Sequence, residues 1–95
     1  MYTICVTFEC LPQKREEFVQ KMKETGVLDS IRAEDGCVEY DYYLSERDLN
    51  ELLLVEQWES KKHQQTHLIQ PHMDHLREFK NNYIVNTVLR EIALL

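Results

Sequence analysis

From Tyr2 to Cys10 (YTICVTFEC) apolar and polar positions alternate, with Ile4, Val6 and Phe8 pointing one way and Thr3, Cys5, Thr7 and Glu9 the other. A period of two in a run rich in β-branched and aromatic residues predicts a strand, closed by Leu11-Pro12. Gln13 to about Glu34 is charged and helix-favouring, with an apolar stripe through Phe18, Val19 and Met22. Past Gly26 the apolar residues Val27, Leu28 and Ile31 fall on a different face, which predicts a kink or a change of phase there. Glu34-Asp35-Gly36 reads as a turn. A second strand, Cys37 to about Leu44, is expected to carry Val38, Tyr40, Tyr42 and Leu44 on one face and Cys37, Glu39, Asp41 and Tyr43 on the other. After a polar turn from Ser45 to Asn50, Glu51 to Trp58 is nearly continuous in apolar character, the mark of a central strand covered on both faces. Ser60 is a suitable N-cap for a short helix. Pro71 interrupts it, because the residue before a proline avoids the helical region, and a second helix should run to about Tyr83. Along that helix His72, Leu76, Phe79 and Tyr83 form one stripe. Val85 to Leu94 completes the pattern as a fourth strand.

The element order is therefore β-α-β-β-α-β. A short polar turn makes the second and third strands an antiparallel hairpin, and the two crossovers should be right-handed. The expected fold is α+β and ferredoxin-like: a four-stranded antiparallel sheet with the helices on one face. Its other face is left bare, and a second copy is the economical cover, so a homodimer through the sheet faces is expected.

Composition narrows the class. The chain has 95 residues, 43% hydrophobic and 29% charged, which reads as one domain spanning residues 1–95. A folded chain of this mass exposes about 5,800 Å² against about 16,500 Å² unfolded, a burial of roughly 65% that leaves little to spare. Only two Gly and two Pro argue against a loop-built or low-complexity chain. No apolar run approaches a membrane span and the start lacks a basic signal-peptide region, so a cytoplasmic protein without membrane contact is expected. Eleven basic against 17 acidic residues give a net charge of −6, a poor balance for neutralising phosphates, so nucleic acid is excluded as an expected partner. Cys5, Cys10 and Cys37 are odd in number and form no CxxC, which disfavours a zinc site or a disulfide framework.

The four histidines fall close together, at His63, His67, His72 and His75. His63 and His67 have metal-pair spacing, but no glutamate lies inside the motif and no third ligand is signposted; chance spacing on a wet helix face is the better account, and no metal is expected. His67, near the end of the short helix, reads as a surface or cap residue. His72 shares a stripe with Leu76 and Phe79. Such a histidine is more often a hydrogen-bonded core residue than a catalyst, although a buried imidazole near neutral pKa is also an available acid or base. Glu56 shares a strand face with Leu52, Leu54 and Trp58. A carboxylate there needs a partner, with Arg32, Arg77 and Arg90 as candidates, or a raised pKa as part of a polar cavity wall. Tyr40 and Tyr42 offer two hydroxyls from one strand face, most simply as structural aromatics. No nucleophilic triad or phosphate-cradling glycine loop is present.

The segment VEQWESKKHQQTHLIQPHMDHLREF (Val55 to Phe79) resembles the antibiotic biosynthesis monooxygenase family, through E-x-W-x-S, then His67, then Pro71-His72. KREEF (Lys14 to Phe18) and IRAEDGCVEYDYY (Ile31 to Tyr43) match the family's first helix and its G-C-x-x-Y strand entry, and the quinol monooxygenase branch is the most similar. The resemblance implies a dimeric α+β barrel with one pocket per subunit between sheet and helices. It also implies oxidation of a phenol or quinol by molecular oxygen with no cofactor: no metal, flavin or haem. On this reading His67 or His72 is the base, Tyr40 or Glu56 orients the substrate and Trp58 walls the ring, with Tyr42, Leu54, Leu76 and Phe79 completing the pocket.

The same scaffold hosts other activities. Haem degradation is disfavoured, since the first strand carries Val6 and no Asn, and residues 60–83 hold no tryptophan. An acid-base isomerase of a small phosphorylated signal such as phospho-autoinducer-2 is the enzymatic alternative, although no basic phosphate site stands out. A non-catalytic dimer that binds a small molecule is the other. A ligand cavity of about 300 Å³ or more would burden so small a core, at roughly 24 cal/mol per Å³ left unfilled.

Overall fold

Eight elements follow one another in the computed structural model, which describes residues Met1–Leu95: β1 (Tyr2–Cys10), α1 (Arg15–Glu24), α2 (Val27–Arg32), β2 (Cys37–Leu44), β3 (Glu51–Trp58), α3 (Lys61–His67), α4 (Pro71–Lys80) and β4 (Ile84–Ile92). The strands form one antiparallel sheet in the order β2-β3-β1-β4, the ferredoxin-like arrangement. Its thickness of 17 Å leaves room for one sheet and one helical layer.

The core lies between these layers. Ile4, Val6 and Phe8 of β1 and Leu52, Leu54 and Trp58 of β3 meet Phe18, Met22, Leu28, Ile31, Met73, Leu76 and Phe79 from the helices. Phe18 stands at its centre, with ring centroids 5.9 Å from Phe8, 6.0 Å from Tyr42 and 6.3 Å from Phe79. Burial in β3 alternates strictly. Its apolar run is therefore covered on one face within a single chain and not on both. The opposite sheet face carries half-buried Cys5, Thr7, Leu53 and Val55 beside exposed Tyr43 and Val88.

The phase change expected past Gly26 is present: the helical stretch after β1 is two helices, with Gly26 in the left-handed conformation (φ 78°) between them. Other positions depart from the sequence reading for physical reasons. In β2 the register slips between Cys37 and Glu39, so Val38 is bulged out and 46% exposed. The bulge moves Cys37 onto the face of Tyr40 and Tyr42, and period-two alternation could not show an extra residue. Leu44 shares the face of Tyr40 and Tyr42, as expected, but lies exposed at the end of the strand. The last helix ends at Lys80 and not Tyr83, and Tyr83 reaches Phe18 (5.9 Å) from the following turn. The N-cap at Ser60 and the handover at Pro71 follow the sequence rules: Ser60 Oγ accepts from the His63 amide, and Gln70 is extended before the proline.

Two contacts pin the loops. Arg15, 6% exposed, donates through Nη1 to the carbonyls of Ser45, Asp48 and Glu51, fixing the β2-β3 turn. Gly36 has φ 79°, and a Cβ built there would run into the His63 ring. Gly36→Ala combines left-handed strain with that collision, and a loss of about 2 kcal/mol is expected in urea unfolding. Gly26→Ala meets no neighbouring atom and should lose only the strain component.

Candidate functional site

The site is assembled by β3, α3, α4 and the turn before β2. The inward face of β3 presents Glu56 between Leu54 and Trp58, all three buried. Ser60 starts α3 in a phase that turns His67 inwards, and His67 is 2% exposed. The Glu34 carboxylate meets two imidazoles on one oxygen: its Oε2 lies 2.8 Å from His67 Nδ1 and 2.7 Å from His72 Nε2. An ionised carboxylate can only accept, so both nitrogens donate. Neutral His67 is thereby held as its Nδ1–H tautomer, with a lone pair on Nε2. The imidazole lies 4.8 Å from Trp58 at an interplanar angle of 33°, and Tyr40 packs edge-on at 5.7 Å. Trp58 Nε1 donates to Glu56 Oε1 at 3.0 Å, and that oxygen stands 4.0 Å from His67 Nε2.

Burial drives the electrostatics. It pushes the Glu56 carboxyl up to about 7; the Trp58 hydrogen bond acts against this, while the Glu34 charge adds to it. Burial also lowers His67, opposed by its hydrogen bond to Glu34 and by that group's charge. Near neutral pH the site therefore holds a neutral imidazole and a half-protonated carboxyl on adjacent elements. Tyr40 and Tyr42 are raised by burial and stay protonated as hydrogen-bond donors.

These groups face a cavity of about 150 Å³ between sheet and helices. Of the residues singled out from sequence, Tyr40, Tyr42, Leu54, Glu56, His67 and Leu76 line it. Trp58, His72 and Phe79 do not. Trp58 lies behind the wall with 0% exposure and acts by holding Glu56 and His67. Phe79 is spent in the core against Phe18. His72 stands on the far side of Glu34, its side chain 21% exposed. The two histidines thus exchange the places expected of them: His67 is the buried one and His72 is partly solvated. No arginine pairs with Glu56; Arg32 is taken by Asp41 and the Tyr40 carbonyl, and Arg77 by Asp74 and the Leu68 carbonyl. Sequence reasoning missed Glu34, Gln64, Lys80, Thr87 and Leu89. Glu34 carried no local signal, since before Asp35-Gly36 it reads as turn chemistry.

Other concavities lack this character. A depression of about 500 Å³ beside the Glu34-Asp35 turn is bounded by Lys62, His63, Thr66 and Gln70 and has no hydrophobic lining. Two groups could present ligand atoms to a cation, Glu34 with His67 and His72, and Asp35 with Glu59 and His63, the atoms of each lying within 4.8 Å. In the first, however, the separations of 2.7 and 2.8 Å are hydrogen-bond lengths. Donors held about 2.1 Å from a tetrahedral ion would stand roughly 3.4 Å apart. The second group is exposed.

Residues 1–78 match the profile of the family described as antibiotic biosynthesis monooxygenase. The chain belongs to the antibiotic biosynthesis monooxygenase family. The matched segment contains every site residue named from sequence except Phe79, and it stops short of Lys80 and β4. Solved structures share the fold over nearly the whole chain. The Pseudomonas aeruginosa protein PA3566 superposes with a TM-score of 0.84 at 20% identity, covering 99% of this chain and 93% of that one. Rv0793 from Mycobacterium tuberculosis gives 0.80 at 25% identity, covering 99% and 94%. A crystal structure of an antibiotic biosynthesis monooxygenase gives 0.84 at 16% identity, covering 100% and 99%. Among curated proteins none matches the sequence.

Proposed function

We propose that this member of the antibiotic biosynthesis monooxygenase family oxidises a phenolic or quinol small molecule with molecular oxygen, without a cofactor, using His67 as base. The observation that carries the reading is the buried Glu34–His67 pair, whose imidazole faces a ring-sized, mainly apolar cavity with Glu56 beside it at the same end. His67 Nε2 accepts the phenolic proton, and the Glu34 carboxylate stabilises the imidazolium as it forms. Proton transfer from a phenol of pKa about 10 to an ordinary imidazole of about 6.5 is uphill by roughly 5 kcal/mol, and the burial of His67 adds to that, so Glu34 offsets part of a real barrier. Protonated Glu56 and the Tyr40 hydroxyl orient the ring oxygen. The electron-rich anion then reduces oxygen. A phenol plus O₂ gives a quinone plus water, and a quinol plus O₂ gives a hydroxyquinone plus water, so the substrate supplies every electron.

The test is oxygen uptake with a panel of hydroquinones and phenols. Uptake above the buffer rate, with quinone absorbance rising in step, is the expected result; a rate equal to buffer across the panel overturns the reading. His67 and Glu56 side by side also suit proton shuttling in the isomerase alternative, which predicts solvent deuterium incorporation into an enolisable phosphorylated sugar under argon. The non-catalytic alternative predicts binding with neither activity.

The same proposal includes a homodimer, in which a second copy covers the sheet face bearing Cys5, Thr7, Leu53, Val55 and Val88. Light scattering at micromolar concentration should give twice the chain mass of 11.4 kDa. A monomeric mass would sink it.

A further inference from the structure

The cavity has two polar ends, and only one is used by the chemistry above. Glu56 is its sole carboxylate and Lys80 its sole ammonium. Neither perturbs the titration of the other. Strand register explains the separation: Glu56 pairs across from Ile4, whereas the Lys80 ammonium lies 5.2 Å from the ring of Phe8, four residues further along β1. Four residues of strand span about 13 Å. Val6, Leu54 and Leu76 form the apolar wall in between.

Lys80 is half-buried and makes no ion pair and no side-chain hydrogen bond. Its neighbour Arg77 is already occupied by Asp74 and the Leu68 carbonyl. Burial, with Arg77 adding to it, pulls its ammonium below the ordinary lysine range. The Phe8 ring gives the ammonium a cation–π contact, but no anion or hydrogen-bond acceptor of the chain meets the charge at this end of the cavity. Size restricts what could supply that anion, since a cavity of about 150 Å³ lined by aliphatic and aromatic groups is known to hold one benzene ring.

We infer that the ligand of this cavity is a monocyclic phenol or catechol carrying a carboxylate-bearing side chain para to the reacting hydroxyl, with the carboxylate paired to Lys80 and the hydroxyl turned to His67 and Glu56. The inference rests on the proposed function for the role of the hydroxyl end, but its ligand preference is measurable without turnover. A para acid spans the two polar ends. An ortho acid such as 2-hydroxyphenylacetate places both groups at one end and leaves Lys80 or Glu56 unmet. A fused bicyclic acid exceeds the volume.

Trp58 is the chain's single tryptophan and stacks on His67, so its fluorescence reports occupancy of the cavity. Under argon at pH 7, the wild-type protein is titrated with 4-hydroxyphenylacetate, 2-hydroxyphenylacetate, 4-methylphenol and 6-hydroxy-2-naphthoate. The para acid should bind about tenfold more tightly than each of the others, as expected of one charge-assisted contact. Lys80→Met should erase the advantage over 4-methylphenol while leaving 4-methylphenol within about twofold of wild type, and Lys80→Arg should retain it. Equal binding of the para acid by wild type and Lys80→Met overturns the inference, as does absence of binding by any ring or equal binding of the naphthoate. Para-selective binding without oxygen uptake supports this inference and defeats the oxidation reading. Oxygen uptake without para selectivity does the reverse.

Discussion

His67→Gln is expected to lower kcat/KM for oxygen uptake by about 10²- to 10⁴-fold, the usual contribution of a positioned general base. That range corresponds to about 3–5.5 kcal/mol of transition-state stabilisation. Glutamine keeps a polar group of similar reach towards Glu34, so the fold should survive, but it cannot accept a proton at neutral pH. The fluorescence titration under argon should therefore change little while turnover falls. His72→Ala provides the contrast. It removes the second donor to Glu34 but touches no cavity wall, and its effect should stay within about tenfold. Glu34→Gln lies between them. The amide oxygen can still accept from both rings, but the negative charge that stabilises the His67 imidazolium is gone. A loss in His72→Ala as large as that in His67→Gln would mean that the base has been assigned to the wrong side of Glu34.

That assignment also shows what local pattern can reach. The strand and helix positions follow from periods of two and 3.6, and Glu56, Leu54, Tyr40 and Tyr42 share one sheet face because side-chain alternation places them there. Pro71 and Ser60 act through their own backbone chemistry and were equally legible. The phase change at Gly26 was legible too, since the apolar residues past it fall on a different face. The bulge at Val38 was not, because period-two alternation cannot show an extra residue. The exchanged places of His67 and His72 have another cause. His67 lies on a short polar helix whose burial is decided by the Glu34 turn, 33 residues away in sequence. Glu34 drew no notice because a lone glutamate before Asp-Gly reads as solvated turn chemistry, and only tertiary packing puts two imidazoles onto it. Lys80 was missed for a similar reason: at the end of a helix it looks like a favourable partner for the C-terminal dipole, and its place over Phe8 depends on the sheet.

Glu56→Gln should stabilise the protein by about 3 kcal/mol at pH 8.5 and by almost nothing at pH 4.5. The folded carboxyl titrates at about 7 against an ordinary value of 4.5. Below pH 4.5 it is protonated in both states and no penalty arises. Between 4.5 and 7 the folded state keeps a proton that the unfolded chain has released, so stability falls as pH rises. Above 7 the whole difference, about 2.5 pKa units at 1.36 kcal/mol each, has been lost. Glutamine is isosteric, cannot ionise, and retains an oxygen to accept from Trp58 Nε1. Urea unfolding at a fixed protein concentration should show the variant and wild type diverging through this window. His67 adds the opposite limb: its lowered pKa means that stability falls as pH drops below 6.5, and this limb should persist in the Glu56 variant. The same titration shapes turnover. If protonated Glu56 holds the phenolic oxygen for His67, wild-type kcat/KM declines above pH 7, and in Glu56→Gln that decline moves to higher pH. A stability gain equal at pH 4.5 and 8.5 would show that Glu56 ionises normally in the fold, and an unmoved alkaline limb would remove it from the reacting site.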